Sequence, residues 1–196
     1  MASQGERRSA TRGAIVDSAQ RLFAIRGYEA TSVADILEAA EVSRGAMYHH
    51  FASKEDLFAV VFVQTSSDAI RRASKRVSQS ATAREALIDG CLGWLEAVDE
   101  PSVRRILLID GPVALGWERA RLLEEATSLG VMRSAIHRAV RDGELVVASI
   151  DLAARMINAM LTEAALNLRP RDVAGRRRSG KMLRAMIDGL APTTTR

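Results

Sequence analysis

Apolar residues recur every three or four positions along most of this chain, the spacing that places them on one face of an α-helix. Ile15, Ala19 and Leu22 follow this spacing until Gly27 interrupts it. No segment shows the every-second-residue alternation of a half-buried strand. A hydrophobic fraction of 47% can fill a core, and aromatic residues are scarce at 4%. The pattern therefore predicts an all-α protein of about nine helices.

Capping residues and helix breakers divide the chain into these predicted helices. Ser32, Ser43 and Ser53 each precede an apolar-periodic segment, where a hydroxyl can accept from free backbone N–H groups. Glycines and prolines mark most later boundaries. We expect helices at about Ile15–Arg26, Thr31–Ala40, Arg44–Phe51, Ser53 to beyond Arg76, Ala83–Val98, Ser102–Ile109, Gly116–Asp142, Ile150–Arg169 and Arg171–Leu190, with disordered tails at Met1–Arg8 and Pro192–Arg196.

The charge is weak evidence about the partner of the chain. The net charge is +4, but residues 1–54 contain seven basic and six acidic side chains, a net of +1. Binding to DNA by this region must depend on the placement of charges rather than on their sum. Residues 169–184 hold seven basic side chains against one acidic, a net of +6. We interpret that tract as a solvated helix face, with a second nucleic-acid patch as the alternative.

The sequence offers little support for an enzyme or a membrane protein. Cys91 is the only cysteine, which excludes an internal disulfide and a thiolate metal cluster. There is no Gly-x-Ser-x-Gly turn and no glycine-rich phosphate loop, although a hydrolase using serine, histidine and aspartate or the Cys91 thiolate is an alternative. The longest apolar run, 57–63, is too short to span a bilayer. We therefore expect a cytoplasmic protein that is not an enzyme and holds no cofactor or metal.

The third predicted helix has one apolar face and one face suited to the DNA major groove. Met47 and Phe51 lie on the inner face, and Arg44, Gly45 and Tyr48 lie on the outer one. Arginine can donate two hydrogen bonds to a guanine edge, glycine permits close backbone approach, and tyrosine reaches phosphate. Two short helices before it complete a helix-turn-helix head.

Neighbouring helix ends are predicted to fix this head on the phosphate backbone. The start of the second helix at Thr31 and Ser32 offers backbone N–H groups, and Lys54 offers an ammonium. These helix patterns and charged groups together predict a DNA-binding region at residues 9–54, joined through the long fourth helix to a helical body at residues 55–191.

The segment TSVADILEAAEVSRGAMYHHFASKEDLF resembles the helix-turn-helix signature of the TetR (tetracycline-repressor) family. The resemblance covers roughly residues 11–62 and implies a DNA-binding transcription regulator. It implies that Arg44, Gly45 and Ala46 read bases and that Ser32, Ser43, Tyr48, His49 and Lys54 contact phosphates. With Thr31 added from the helix-terminus argument, the predicted DNA-binding residues are Thr31, Ser32, Ser43, Arg44, Gly45, Ala46, Tyr48, His49 and Lys54.

One position departs from the family pattern. The family usually has glycine between the second and third helices, where this chain has Glu41. A residue other than glycine in a left-handed conformation costs about 1 kcal/mol. We therefore expect a slightly different turn, which leaves the exact angle of the third helix open but not its existence.

The last two predicted helices carry broad apolar stripes that favour a homodimer. Stripes of leucine, methionine and small alanine on adjacent helices can pack against a symmetry mate as a four-helix bundle. A two-fold dimer also presents two recognition helices about one DNA turn (~34 Å) apart, which matches a palindromic operator. The predicted interface residues are Met156, Met160, Ala164, Leu168, Met182, Met186 and Leu190.

The family resemblance also implies a small-molecule pocket in the helical body. Glycines and a proline within its helices leave room for a cavity. The predicted lining residues are Trp94, Asp110, Trp117, Met132 and Asn158. We expect a repressor that leaves its operator when a small apolar or amphipathic ligand binds. The alternative is a DNA-binding regulator without a small-molecule effector, controlled by a protein partner.

Overall fold

A computed structural model describes residues 3–77, 82–169 and 171–192 of the chain, and it confirms the all-α prediction. Two short π-helical segments, Arg105–Asp110 and Glu125–Leu129, each follow directly on one α-helix and lead directly into the next. The α-helices are α1 Gln4–Arg26, α2 Val33–Ala40, α3 Arg44–His50, α4 Lys54–Ser74, α5 Ala83–Ala97, α6 Pro101–Arg104, α7 Gly111–Glu124, α8 Gly130–Arg141, α9 Ile150–Asn167 and α10 Val173–Asp188. Among the described residues, no helix is both long and apolar enough to cross a membrane.

The first helix begins much earlier than predicted. Ser3 accepts a hydrogen bond from the Glu6 N–H, and the Glu6 carboxylate accepts one from the Ser3 N–H. This capping box satisfies two free donors at the helix start, so α1 begins at Gln4 and the disorder expected for residues 4–8 is wrong. Of the second expected tail, Pro192–Arg196, residues 193–196 lie outside the described residues, as do residues 1 and 2 of the first.

Two later helix boundaries also differ from the prediction. Helix α4 ends at Ser74 and is followed by a turn, so it does not extend beyond Arg76. The expected break at Gly111 and Pro112 is absent, because the chain passes from the first π-helical segment directly into α7. The wider π turn relieves the clash that a proline ring makes with the carbonyl four residues earlier in a regular α-helix. The chain bends instead at Gly116, whose φ of +70° suits glycine.

The turn between α2 and α3 keeps a regular geometry despite its glutamate. Glu41 adopts a left-handed conformation with φ 54° and ψ 41°, and its N–H is directed to the carbonyls of Leu37 and Glu38. Glu41 therefore has the left-handed conformation on which the expected steric cost rests. The glutamate backbone takes the conformation that glycine would take, at the steric cost that a Cβ atom brings there.

Contacts divide the chain into two compact units that do not follow the predicted boundary after residue 54. The first unit contains residues 1–65 and 102–123, and the second contains residues 66–101 and 124–196. In the first unit, the rings of Phe23, Tyr28 and Phe58 pack together with distances of 4.9 to 5.7 Å between ring centroids. Two of the three pairs are edge to face. Phe23 and Phe58 are fully buried, so these rings form the centre of the unit.

The core of the second unit is aliphatic and is built from α5, α8, α9 and α10. Its largest fully buried side chains are isoleucines and a leucine, among them Ile88, Ile136 and Leu145. Gly93 of α5 lies directly against the backbone of Ala73, where an added Cβ atom would come within 2.8 Å. The absence of a side chain at Gly93 therefore sets how closely α4 and α5 approach in this unit.

Candidate functional site

Helix α3 separates its buried and exposed residues as the sequence predicts. Met47 is fully buried, whereas Arg44, Gly45 and His49 are exposed and Tyr48 is 48% exposed. Ser43 caps the helix by accepting from the Ala46 N–H at 3.2 Å. One side of the helix is thus buried, and its exposed residues form one continuous stripe on the outer side.

The outer stripe has hydrogen-bonding groups that the described residues leave unused. The guanidinium of Arg44 and the hydroxyl of Tyr48 form no hydrogen bond or ion pair with any residue in the described ranges 3–77, 82–169 and 171–192. Exposed donors without an internal partner can bind an external acceptor without breaking an existing contact. This is the arrangement that major-groove recognition requires.

Two of the residues predicted to contact phosphate, Thr31 through its backbone N–H and Lys54 through its ammonium, are engaged inside the first unit, where the Thr31 N–H donates to the Tyr28 carbonyl at 3.3 Å. Thr31 is fully buried and its hydroxyl donates to the carbonyl of Gly27 at 2.7 Å. Lys54 Nζ donates to the carbonyls of Tyr28 and Thr31 at 2.9 and 3.0 Å and lies 4.0 Å from the Tyr28 ring centroid. The side chain of Thr31 therefore cannot reach a phosphate. Lys54 closes the loop between α1 and α2 through carbonyl and cation–π contacts, a role different from the one predicted.

Ser32 begins α2 with a complete capping box. Its hydroxyl accepts from the Asp35 N–H at 3.1 Å and donates to Asp35 Oδ2 at 2.6 Å. These hydrogen bonds, the Ser32 hydroxyl first among them, hold the pKa of the Asp35 carboxyl below its ordinary value. Ser32 is exposed, but its hydroxyl proton is already shared with Asp35.

A cationic group that the sequence analysis missed lies on α1, close to the end of α3. The guanidinium of Arg12 is 5.2 Å from the ring centroid of Phe51. Burial and then the positive charges of His49, Arg8 and Arg12 lower the pKa of His50. The early start of α1 therefore brings Arg8 and Arg12 toward α3. The Ser3-x-x-Glu6 pattern is the sequence signal that could have revealed this.

Asp110 and Trp117 belong to the first unit and do not line the cavity predicted for them. An Asp110 carboxylate oxygen accepts from the Tyr28 N–H at 2.9 Å, while Arg105 Nη1 donates to the Ile25 carbonyl at 3.1 Å. Both contacts hold the end of α1, which explains the carboxylate in an apolar segment. Trp117 follows the bend at Gly116 and is 78% exposed. The prediction that these two residues share a pocket with the other three is wrong.

A cavity of about 710 Å³ lies in the second unit, between α5, α8, α9, the second π-helical segment and the end of α4. Its size is in the range of small-molecule sites. Trp94, Met132 and Asn158 line it, as predicted. The other lining residues are mostly apolar or small, including Ile70, Ala73, Leu87, Gly90, Ala135 and Leu161.

Cys91 also lines this cavity but has no nucleophilic character. Its side chain is buried, and burial raises the pKa of the thiol to about 12. Only the thiolate is a good nucleophile, so the protonated thiol is chemically inert at neutral pH. This weighs against the alternative of a hydrolase based on the Cys91 thiolate.

The predicted dimer face lies mainly along an apolar groove between α9 and α10. Met160, Ala164, Met182 and Met186 line the groove, and Met182 is 65% exposed. Met156 is exposed on α9 and Leu190 is half-buried after α10.

Leu168 is an exception to this arrangement. It is buried within its own chain at 8% exposure, because the backbone becomes extended after Asn167 and the side chain packs against Gly175. Its assignment to the interface is therefore wrong.

Comparisons with known proteins agree with the architecture and with the helix-turn-helix. Residues 15–61 match the family described as "Bacterial regulatory proteins, tetR family", and residues 84–190 match "Tetracyclin repressor-like, C-terminal domain". HTH-type transcriptional repressor Rv1474c of Mycobacterium tuberculosis is 33% identical over 142 residues, which are 68% of this chain and 71% of that protein. HTH-type transcriptional repressor AcnR of Corynebacterium efficiens is 32% identical over 136 residues, 67% of this chain and 69% of that protein.

The fold also matches that of a solved structure. The crystal structure of a TetR-family transcriptional regulator from Pectobacterium atrosepticum is 26% identical, with a TM-score of 0.80, and the match covers 100% of both chains. The named relatives are regulators and repressors rather than enzymes. The chain therefore belongs to the TetR family of DNA-binding transcriptional regulators.

Proposed function

We propose that the chain is a repressor that binds a palindromic operator as a homodimer and leaves it when a small apolar or amphipathic molecule occupies the cavity of the second unit. We propose that it acts in the cytoplasm, where its DNA target lies. The observation that carries the DNA-binding part is the exposed stripe of α3, whose Arg44 and Tyr48 side chains have no partner among the described residues. Relatives named as repressors support the direction of regulation.

The residues of the stripe divide between base reading and phosphate contact. Arg44 donates two hydrogen bonds to a guanine edge, while the small residues Gly45 and Ala46 let the helix enter the groove. Tyr48 and His49 donate to phosphates, and the exposed backbone start of α3 at Ser43 adds N–H donors. Ser32 contributes through the N-terminus of α2, its hydroxyl proton being engaged with Asp35.

The arginines of α1 extend the phosphate-binding surface. Arg8 is exposed and close enough to His50 to lower its pKa, although burial is the larger cause. Each phosphate neutralised releases condensed cations from DNA, so every such contact steepens the loss of affinity with salt. Arg8→Ala should therefore lower affinity for all DNA sequences equally and reduce the salt slope by about one.

Dimerisation is assigned to the groove between α9 and α10. The exposed methionines Met156, Met182 and Met186 form an apolar stripe that is costly to leave in water. A second copy related by a two-fold axis would cover this stripe with the same residues. Met182→Glu should convert a dimer into a monomer in sedimentation experiments, whereas Met132→Glu, on the cavity side of the second unit, should not.

Selection of bound fragments from random double-stranded DNA tests the proposal. The wild-type protein should enrich a palindrome at two salt concentrations, and Arg44→Ala should abolish that enrichment. Arg177→Ala is the matched control, because Arg177 is an exposed arginine of α10 in the second unit. Salt-sensitive retention of DNA without an enriched sequence would contradict the proposed operator.

The cavity is the observation that favours a small-molecule effector over a protein partner. A metabolite library screened by thermal unfolding should contain a ligand that stabilises the protein, by about 2.7 kcal/mol at 100 times its dissociation constant. The same compound should then release the selected DNA. A compound that stabilises the protein without releasing DNA would contradict the proposed effector role.

A further inference from the structure

The wall of the cavity carries neutral polar side chains that have no side-chain hydrogen bond to the described residues. Trp94, Ser128 and Asn158 line the cavity, are half-buried, and make no side-chain hydrogen bond to any residue that the structure describes. An indole N–H is only a donor, an amide offers two donors and one acceptor, and a hydroxyl can do either. The cavity wall therefore offers hydrogen-bond donors, one of them on a donor-only group, to an acceptor on a ligand.

Charged groups are confined to one edge of the cavity. Of the lining residues that the structure describes, only Arg138 and Asp142 are charged, and both are exposed and lie one helical turn apart. Asp142 Oδ1 already accepts hydrogen bonds from Arg141, whereas Arg138 has no carboxylate partner within the described part of the chain. The edge is therefore weakly positive and the interior holds no counter-ion.

We infer that the cavity selects an uncharged, mainly apolar molecule that carries a carbonyl or a similar hydrogen-bond acceptor, and that it rejects organic cations. This inference rests on the proposed function, in which the cavity holds the effector. An acceptor on the ligand satisfies the Asn158 amide and the Trp94 indole, whose donors otherwise lose water without gaining a partner. A buried ammonium would lose its hydration and find no carboxylate in the interior.

The two tryptophans of the chain provide a direct test. Trp94 lines the cavity, and Trp117 is exposed in the first unit, so Trp117→Phe leaves the cavity-lining Trp94 as the single tryptophan. Four probes with one ring system are titrated into this variant: fluorene, 9-fluorenone, fluorene-9-carboxylate and protonated 9-aminofluorene. Trp94 fluorescence and the thermal unfolding temperature both report binding.

The ketone should bind about tenfold more tightly than fluorene, the expected gain from one satisfied hydrogen bond, and at least tenfold more tightly than the ammonium probe. Asn158→Leu should abolish the preference for the ketone over fluorene and leave fluorene binding within about twofold. Asn167→Leu is the matched control, since Asn167 is an exposed asparagine at the end of the same helix. That control should retain the preference.

Other outcomes overturn the inference in distinguishable ways. Binding of the ammonium as tightly as the ketone removes the charge selection. Tightest binding of the carboxylate, lost in Arg138→Gln, makes the ligand an anion held at the edge. Binding of none of the four probes also overturns the inference. The proposed function survives each of these results if a library compound of another class stabilises the same preparation and releases its operator.

Discussion

The two compact units of the chain differ in the side chains at their centres. The first unit places three aromatic rings at its centre and supports a recognition helix whose inner residue Met47 is fully buried. In the second unit, several helix faces carry alanine or glycine, such as Ala83, Gly90 and Ala135. These faces line a cavity of about 710 Å³. A helix that must present side chains in one orientation needs a filled core, and a binding site needs unfilled space.

The largest expected effect tests the aromatic core. Phe23→Ala should lower the free energy of unfolding by about 3–5 kcal/mol, because a fully buried ring is lost and its neighbours cannot fill the space. Leu161→Ala should cost less, about 2 kcal/mol, because Leu161 already borders empty space. Urea denaturation followed by circular dichroism measures both. Equal losses at the two sites would remove the contrast between the units.

The next effect separates binding from stability. Arg44→Ala should weaken operator binding roughly ten- to a hundredfold, because a bidentate contact with a base is lost. Its unfolding temperature should stay unchanged, since Arg44 makes no contact with described residues that folding would lose. Anisotropy titration with labelled operator measures the affinity, and Arg177→Ala serves again as control. A drop in unfolding temperature with Arg44→Ala would assign a structural role to this side chain.

Two glycines in one helix should respond with opposite signs. A Cβ atom at Gly90 meets nothing within 4 Å, so Gly90→Ala should stabilise α5 by about 0.5–1 kcal/mol. A Cβ atom at Gly93 would lie 2.8 Å from backbone atoms of Ala73, so Gly93→Ala should destabilise the protein by about 1–3 kcal/mol. Thermal unfolding of the pair gives both signs. A destabilising Gly90→Ala would mean that the cavity wall is already filled at that point.

The smallest expected effect is on the pH dependence of folding stability, through an ion pair within the second unit. Arg184 Nη1 donates to both carboxylate oxygens of Glu85, at 2.6 and 2.8 Å, and lowers the pKa of Glu85. The pair therefore stabilises the folded state above the unfolded pKa of glutamate, and this contribution is lost as pH falls through the lower folded pKa. Both side chains are partly exposed, so the contribution is under about 1 kcal/mol.

Glu85→Gln should flatten the decline of the unfolding temperature between pH 5 and pH 3, a window set by the ordinary glutamate pKa of about 4.3. Glu118→Gln removes an exposed carboxylate of the first unit and is the matched control. An identical flattening by both variants would show that the effect does not come from the pair with Arg184.

The short helices of the head could be predicted from sequence because their signals are local. Ser43 caps α3 and the apolar spacing fixes which face is buried, both within a few residues. The side-chain roles of Thr31 and Lys54 could not be predicted, because they depend on carbonyls of the loop between α1 and α2.

The cavity of the second unit was predicted only in part for the same reason. Trp94, Met132 and Asn158 lie on helices whose apolar faces converge, which helical spacing indicates. Asp110 and Trp117 are misplaced because their segment, residues 102–123, packs with residues far away in sequence. A helix-forming pattern gives the face of a residue but not the unit against which that face packs.

The membership of residues 102–123 in the first unit has a consequence for modularity. Arg119 pairs with Glu55 and Asp56, and Asp110 accepts from the Tyr28 N–H, so these contacts join two stretches of one unit that are distant in sequence. A head excised at residue 65 would leave four polar groups without their partners, because Arg105 also donates to the carbonyl of Ile25. Chimeras that exchange heads between relatives should therefore transplant both stretches together, because each stretch supplies polar partners for the other.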